Sequence, residues 1–376
     1  MLRPEEIYTF ARQLCRPANS FINEGKIGGC PELLGEISAG IKSGFILKLK
    51  KAKRCIMDSD YISRLINRFK KDLPPNYDLS FQGFKHAMNK IIEDAAKQLS
   101  PHAVKRIGMK PSTFYECLTK VGMIEKPDVN GFVKTTDNWK TYQIYVNLGL
   151  MMFFHKIIKI FASRVGVMSN NGGIEKNPEI PFDETVACAK KILVAFWNNT
   201  LYTTTGFNLM QLSDFQIEFV GTTLNYAEKF VVAHEFGHVI INTASTKPTE
   251  IAFIEDALKK ILYDKMKLNN LDNLVSVWVQ EIASDIIGLE LCLECGEDDW
   301  DRVGIYSAVQ FFFIAQNMLE TFYEKTFNSP RSTGSHPPCK LRLEFIRLIV
   351  NRDNPTSVSQ IGNALEEISN RILESI

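Results

Sequence analysis

The segment "VVAHEFGHVI", residues 231–240, contains metal-binding residue types at a spacing that suits a single ion. On a helix, His234 and His238 are four residues apart, so both imidazoles project from one face. Glu235 points about a quarter turn aside, where it can accept a proton from an attacking water molecule instead of binding the metal. The spacing therefore predicts a zinc site with a general base beside it.

Chance is a weak explanation for this pattern. The chain has six histidines, and an accidental HExxH is expected with a probability of roughly one per cent or less. Two core histidines on an amphipathic helix are the structural alternative. The apolar flanks "VVA" and "VI" favour the buried helix of a metal site instead.

A zinc hydrolase needs a third protein ligand and one open position. Ala244 stands where metzincins carry their third histidine, which excludes that class. The segment "VWVQEIASDIIGLELC" places Glu281 and Asp285 one helical turn apart, so Glu281 can ligate while Asp285 holds a ligand imidazole. The acidic residues nearer to the motif rank below these two, because their helix is amphipathic with solvated charges: Glu250, Glu255 and Asp256.

Three segments in this order, "HEFGH", "QEIASDIIGLEL" and "SHPPCKLRLE", resemble the gluzincin metallopeptidases of the HtpX and CAAX prenyl endopeptidase type. The resemblance covers about residues 200–350. It implies a zincin-type domain that binds one Zn2+ per chain. The positions that match the family's motifs are the ligands His234, His238 and Glu281, the general base Glu235, the supporting carboxylate Asp285, and His336 near the reaction centre.

The chain departs from this family at two points. Ser284 occupies a position where the family usually has alanine, and the membrane helices common in the family are missing. The most apolar stretch, residues 145–168, is interrupted by His155 and two lysines, which predicts a buried helix and no membrane insertion. The soluble or periplasmic members are therefore the nearer comparison.

His336 precedes two prolines in "STGSHPPCKLRLE", residues 332–344. Proline restricts its own φ and the residue before it, which predicts a stiff, extended loop. A rigid donor near the reaction centre could stabilise the oxyanion of a tetrahedral intermediate, so His336 is a candidate catalytic residue. Arg342 could anchor this loop through a carboxylate. A surface histidine without a catalytic role is the alternative.

Helical periodicity dominates the chain, for example in residues 84–99 and 184–197, and predicts a mainly α fold with a small β-sheet. The β-branched and aromatic residues of 200–221 predict strands. The last of these, "DFQIEFVG", could pair with an extended substrate. Asn225 and Glu228 form a capping box that predicts the start of the HExxH helix.

Gly, Asn and Pro are concentrated in residues 167–184, which we interpret as a linker between two domains. The N-terminal side, residues 1–166, would be a helical regulatory or recognition domain. The C-terminal side, residues 185–376, would be the zinc metallopeptidase domain.

Residues 100–136 resemble a winged helix-turn-helix, with a turn through Gly108, a second helix and a small hairpin around Gly131. This part of the chain is basic. Binding of nucleic acid or of an acidic partner through residues 48–54 and 105–110 is therefore one hypothesis. An ordinary helical domain with a solvated basic face is the favoured alternative.

The eight cysteines lack the dense spacing of a secreted disulfide framework. The N-terminus also lacks the apolar core of a secretory signal, so a cytoplasmic protein is expected. Cys292 and Cys295 are spaced like a redox or metal pair. They fall inside a helical pattern, however, which favours core or surface thiols.

Together these patterns predict a soluble, cytoplasmic, zinc-dependent endopeptidase that hydrolyses a protein or peptide substrate with metal-activated water. Two other functions stay open. The chain could be a DNA-binding or sensor regulator whose peptidase domain cleaves a partner on a signal, or a non-catalytic interaction protein stabilised by zinc. Salt-sensitive DNA affinity would support the DNA-binding regulator. Bound zinc without any cleavage would support the non-catalytic interaction protein.

Overall fold

The computed structural model describes residues 81–126, 131–136, 141–164, 167–168, 174–175, 181–198, 212, 214–243, 251, 254–259, 271–328, 336–351 and 360–376. The predictions for residues 48–54, 200–211 and Glu250 lie outside the described residues. The same is true of most of the predicted linker 167–184.

Helices make up most of the described chain, and the predicted mainly α fold with a small β-sheet is confirmed. The helices are α1 (Phe81–Ile107), α2 (Pro111–Cys117), α3 (Leu148–Ala162), α4 (Phe182–Trp197), α5 (Asp214–Thr243), α6 (Leu271–Glu294), α7 (Asp299–Phe327), α8 (Cys339–Asn351) and α9 (Gln360–Glu374). The strands are β1 (Leu118–Ile124), β2 (Gly131–Thr136), β3 (Thr141–Asn147) and a short antiparallel pair, β4 (Val167–Met168) and β5 (Ile174–Glu175).

The three longer strands form one mixed sheet with β3 in the centre. β3 pairs in parallel with β1 and antiparallel with β2. Tyr142, Ile144 and Val146 are buried while the residues between them are half-buried, as expected of a sheet with one face against the core. Within the described residues, β2 pairs with β3 alone and is an edge strand of this sheet.

This arrangement differs from the predicted winged helix-turn-helix of residues 100–136. The turn through Gly108 is present, with a φ of 73°. However, α2 has only seven residues, and β1 and β2 pair with β3 and do not form a hairpin around Gly131. The ring of Phe114 in α2 is buried and stacks on Phe236 of α5, with 5.9 Å between the ring centroids. α2 is thus packed on the HExxH helix through Phe114.

Residues 214–221 belong to α5, so the strand predicted there is wrong, as is the idea that this strand pairs with substrate. The predicted capping box at Asn225 lies inside the same helix. Val220, Leu224 and Ala227 are buried at intervals of four and three residues. This helical burial pattern continues upstream of Asn225 and outweighs the strand preference of the β-branched and aromatic residues.

One hydrophobic core joins elements from both sides of the predicted linker. In α1, Arg106 pairs with the buried Glu290 of α6, and His102 Nδ1 lies 3.0 Å from Glu294 Oε2. The Phe154 ring of α3 contacts aromatic rings of α7. The described part of the predicted N-terminal domain therefore packs directly on the helices of the predicted peptidase domain.

The apolar stretch around His155 forms α3, whose residues are mostly buried, as predicted. His155 Nε2 lies 2.8 Å from Glu228 Oε1 of α5. Lys156 and Lys159 are half-buried, and burial lowers the pKa of both ammonium groups. Among the helices described, none has the length and apolar character needed to cross a membrane.

α5 and α6 approach each other closely at two glycines. A Cβ added to Gly237 would lie 2.7 Å from Cα of Ser284, and one added to Gly288 would lie 2.8 Å from the backbone nitrogen of His234. Both contacts are with backbone atoms, which cannot move aside as a flexible side chain can. The two helices therefore meet at a distance that only glycine allows.

Gly288→Ala should lower the free energy of unfolding by about 1–3 kcal/mol, because the added methyl group overpacks a backbone contact. Alanine's higher helix propensity would offset part of this loss. Denaturant-induced unfolding measures the change. Gly296→Ala is the control, since its added Cβ would meet chiefly the flexible Arg302 side chain, at 3.1 Å. Unchanged stability of Gly288→Ala would contradict a glycine-dependent helix contact.

Candidate metal centre

The α5–α6 contact brings the three predicted ligands together. His234 Nε2 lies 3.2 Å from His238 Nε2. Glu281 approaches both rings, with 3.7 Å from its Oε2 to His234 Nε2 and 3.4 Å from its Oε1 to His238 Nε2. These three residues form a group whose ligand atoms all lie within 4.8 Å of one another and could hold a metal ion.

The spacing of the ligand atoms suits tetrahedral zinc. Zn–N and Zn–O bonds of about 2.0–2.2 Å at tetrahedral angles place neighbouring ligand atoms about 3.3–3.5 Å apart. The two imidazole nitrogens are 3.2 Å apart, and the Glu281 distances of 3.4 and 3.7 Å, which are measured to different oxygens of its carboxylate, also lie close to this range. Two imidazoles with one carboxylate are also a ligand set that zinc hydrolases use, with a fourth position left open.

A buried chain of charged groups supports this triad. Asp285 Oδ1 lies 2.8 Å from His234 Nδ1, the ring nitrogen that faces away from the other ligands. Arg342 donates two hydrogen bonds to Asp285, 2.7 Å from Nε to Oδ2 and 2.6 Å from Nη2 to Oδ1. Its guanidinium carbon lies 5.2 Å from the centroid of the Phe313 ring. The sequence left the carboxylate partner of Arg342 open, and the structure shows that it is Asp285.

Arg342 also sets the charge of the acidic groups. Burial alone would raise the pKa of Glu281 and of Asp285, but the guanidinium holds both pKa values below their usual range. Arg342 Nη2 lies 3.8 Å from Glu281 Oε2, close enough for this effect. Both carboxylates are therefore ionised at neutral pH, as a metal ligand and its supporting group must be.

The two histidines differ in their surroundings. Burial and the nearby His234 together lower the pKa of His238 to about 4. Burial also disfavours the charged form of His234, but the Asp285 carboxylate, 2.8 Å from its Nδ1, outweighs the effect of burial and raises the pKa of His234. His238 is therefore neutral at pH 7, the form in which imidazole binds metals.

Glu235 is close to the triad but is not part of it. Its side chain is almost fully buried, and burial raises its pKa to about 7. Gly131, the first residue of β2, lies against it: a Cβ added there would be 2.7 Å from Glu235 Oε1. The edge strand of the sheet thus adjoins this carboxylate.

His336 lies at the rim of the site, before the start of α8. Its Nε2 is 3.6 Å from Glu281 Oε2, and its side chain is 42% exposed. Pro337 and Pro338 are buried. The histidine therefore faces the triad from a partly solvated position, and burial lowers its pKa.

The acidic residues ranked lower are not brought to the triad where the structure describes them. Glu255 Oε1 pairs with Lys259 at 2.6 Å, and Asp256 is exposed. The thiols of Cys292, which is buried, and Cys295, which is half-buried, have raised pKa values because both are partly or wholly removed from water. Raised pKa values argue against a reactive thiolate pair and fit the expected core thiols.

Two neighbours of the site were not predicted from the sequence. Ser284 Oγ lies 3.0 Å from His238 Nδ1. The helical spacing could have indicated that Ser284 lies near the site, because Ser284 is three residues after Glu281 and adjoins Asp285. No local pattern indicated the approach of Gly131 to Glu235, since it depends on the pairing of β2 with a strand later in the chain.

Comparisons with protein-family models, with curated proteins and with solved structures found no match to this chain. The resemblance to gluzincin metallopeptidases therefore stays a prediction from three short motifs. The geometry of the metal-binding group stands independently of it.

Glu281→Ala should abolish stoichiometric zinc binding, because two imidazoles alone leave the site one protein ligand short. Elemental analysis after gel filtration measures the metal content. Glu255→Ala is a matched control, since it removes a carboxylate that pairs with Lys259 and lies outside the triad. Zinc retained by Glu281→Ala but lost from Glu255→Ala would contradict the ligand set.

Proposed function

We propose that this chain is a zinc-dependent endopeptidase that cleaves a protein or peptide substrate. The observation that carries the proposal is the separation of roles within the site. Three residues form a group that could hold a metal ion, while a fourth ionisable group, the buried Glu235, interacts electrostatically with His234 and Glu281 without belonging to that group. A purely structural zinc site uses four protein ligands and needs no such carboxylate.

A bound zinc ion would lower the pKa of a water molecule and polarise the scissile carbonyl. The chain's own residues supply the rest. Glu235 accepts a proton from the attacking water and passes it to the leaving amine, as a general base and then a general acid. Asp285, held by Arg342, fixes the orientation of His234. His336 is available to donate a hydrogen bond to the developing oxyanion.

We assign substrate binding to the edge of β2, in place of the segment that forms the start of α5. Where the structure describes the sheet, β2 pairs with β3 on one side only. Its first residue, Gly131, adjoins Glu235. An extended peptide that adds to this edge would pass beside the general base, so a flexible or unfolded segment is the expected substrate.

The alternative of zinc-stabilised interaction without turnover predicts bound metal and no cleavage. No observation among the described residues favours DNA binding. Arg106 of the basic segment is engaged with Glu290, and α2 is packed on α5 by Phe114. Peptidase activity on a denatured protein mixture distinguishes cleavage from mere binding.

Glu235→Gln should retain zinc and fold while losing nearly all peptidase activity, because an amide cannot accept the proton from water. The same variant should hold its substrate, so proteins captured by it in the native host, but not by the wild type, identify the substrate. Wild-type rates for Glu235→Gln would show that this carboxylate is not the base.

His336→Ala should keep its zinc and its thermal stability while kcat falls by about a hundredfold with little change in KM, because one oxyanion donor is lost. Steady-state kinetics on a cleaved peptide measures both constants. Activity within about threefold of the wild type would place His336 outside the reaction. Loss of zinc would instead make it a ligand.

Gly131→Ala should reduce kcat about tenfold to a hundredfold while zinc content is unchanged, because the added methyl group displaces the Glu235 carboxylate. Gly122→Ala is a control in the same sheet. Its added Cβ would meet Asn89 Oδ1 at 3.2 Å and does not approach the site. Equal activity of the two variants would show that β2 does not constrain the base.

A further inference from the structure

We propose that Ser284 is a positioning residue for the metal, which orients the ligand His238 through its hydroxyl group. The inference rests on the metal site of the proposed function but does not depend on the peptidase reaction. It assigns a role to the position at which this chain departs from the family that it resembles, where alanine is usual.

The contacts of the His238 ring carry the argument. Its Nε2 faces the other ligands, 3.2 Å from His234 Nε2 and 3.4 Å from Glu281 Oε1. Its Nδ1 lies 3.0 Å from Ser284 Oγ, on the other side of the ring. With Nε2 as the metal-binding atom, Nδ1 would carry the ring proton. The Nδ1–H group would then donate a hydrogen bond to Ser284 Oγ, which fixes both the tautomer and the ring plane.

The other ligand histidine is held in a parallel way. His234 Nδ1 lies 2.8 Å from Asp285 Oδ1. Two consecutive residues of α6 therefore lie against the two imidazoles: the Ser284 hydroxyl against His238 and the Asp285 carboxylate against His234. In metal sites, such a partner on the second nitrogen sets the direction and basicity of the ligating nitrogen.

Ser284 is also rigidly placed. It is fully buried, and its Cα and carbonyl oxygen lie against Gly237, where an added Cβ would meet both at 2.7 Å. The backbone contact leaves the hydroxyl little freedom relative to His238, which is one residue after Gly237. A shift of the ring would have to break the hydrogen bond, because the helices cannot separate to follow it.

The test is a zinc titration of the metal-free protein against a competing chelator. Ser284→Ala should bind zinc about 10- to 100-fold more weakly than the wild type, the usual effect of losing such a partner. Ser307→Ala is the matched control, since Ser307 is also a buried helical serine, but its hydroxyl donates to the carbonyl of Val303 at 2.8 Å. Its zinc affinity should stay within about twofold of the wild type.

A second readout separates orientation from general destabilisation. Nitrogen NMR of labelled histidines in the zinc-loaded wild type should show the Nδ1 proton of His238 protected from exchange, and Ser284→Ala should lose that protection. Equal zinc affinity together with retained protection would overturn the role of Ser284. A wild type that takes up no zinc would overturn the metal site as well, whereas an absence of peptidase activity would overturn only the proposed reaction.

Discussion

The close contact between α5 and α6 is the constraint on which the site depends. Gly237 and Gly288 let the helix backbones touch, and the antiparallel pairing then brings His234 beside Asp285 and His238 beside Glu281. No loop has to be ordered to form the triad. The ligand atoms are positioned by the packing of two long helices. Because burial in the core already orders these helices, the site needs little further loss of conformational entropy.

Two buried carboxylates so close together would be unfavourable without a fixed positive charge. Arg342 provides it from a third element, with two hydrogen bonds to Asp285 and a short distance to Glu281. Because guanidinium stays charged at any relevant pH, this support is present with or without a metal. The C-terminal motif thus completes the electrostatics of a site whose ligands all lie upstream.

The group of His234, His238 and Glu281 could be predicted from the sequence because these residues follow helical spacing and because few residue types bind metals. Local sequence patterns did not predict the secondary structure or the strand pairing where these depend on contacts between residues far apart in the chain. Residues 214–221 look like a strand by composition, but their burial against the core makes them helical. The pairing of β1 and β2 with β3 follows no local signal, and therefore neither the sheet order nor the neighbour of Glu235 could be derived.

The placement of β2 bears on how the chain can be divided. All three residues of the metal-binding group lie after residue 233, yet the backbone that lies against Glu235 comes from residue 131. α1 also contacts the C-terminal part of the chain, because Arg106 of α1 donates a hydrogen bond to Glu290 of α6. A piece of the chain cut at the Gly- and Pro-rich segment would carry His234, His238 and Glu281 but would lack β2, which lies against Glu235, and α1, which packs on α6. The surroundings of the metal-binding group are thus built from both sides of this segment.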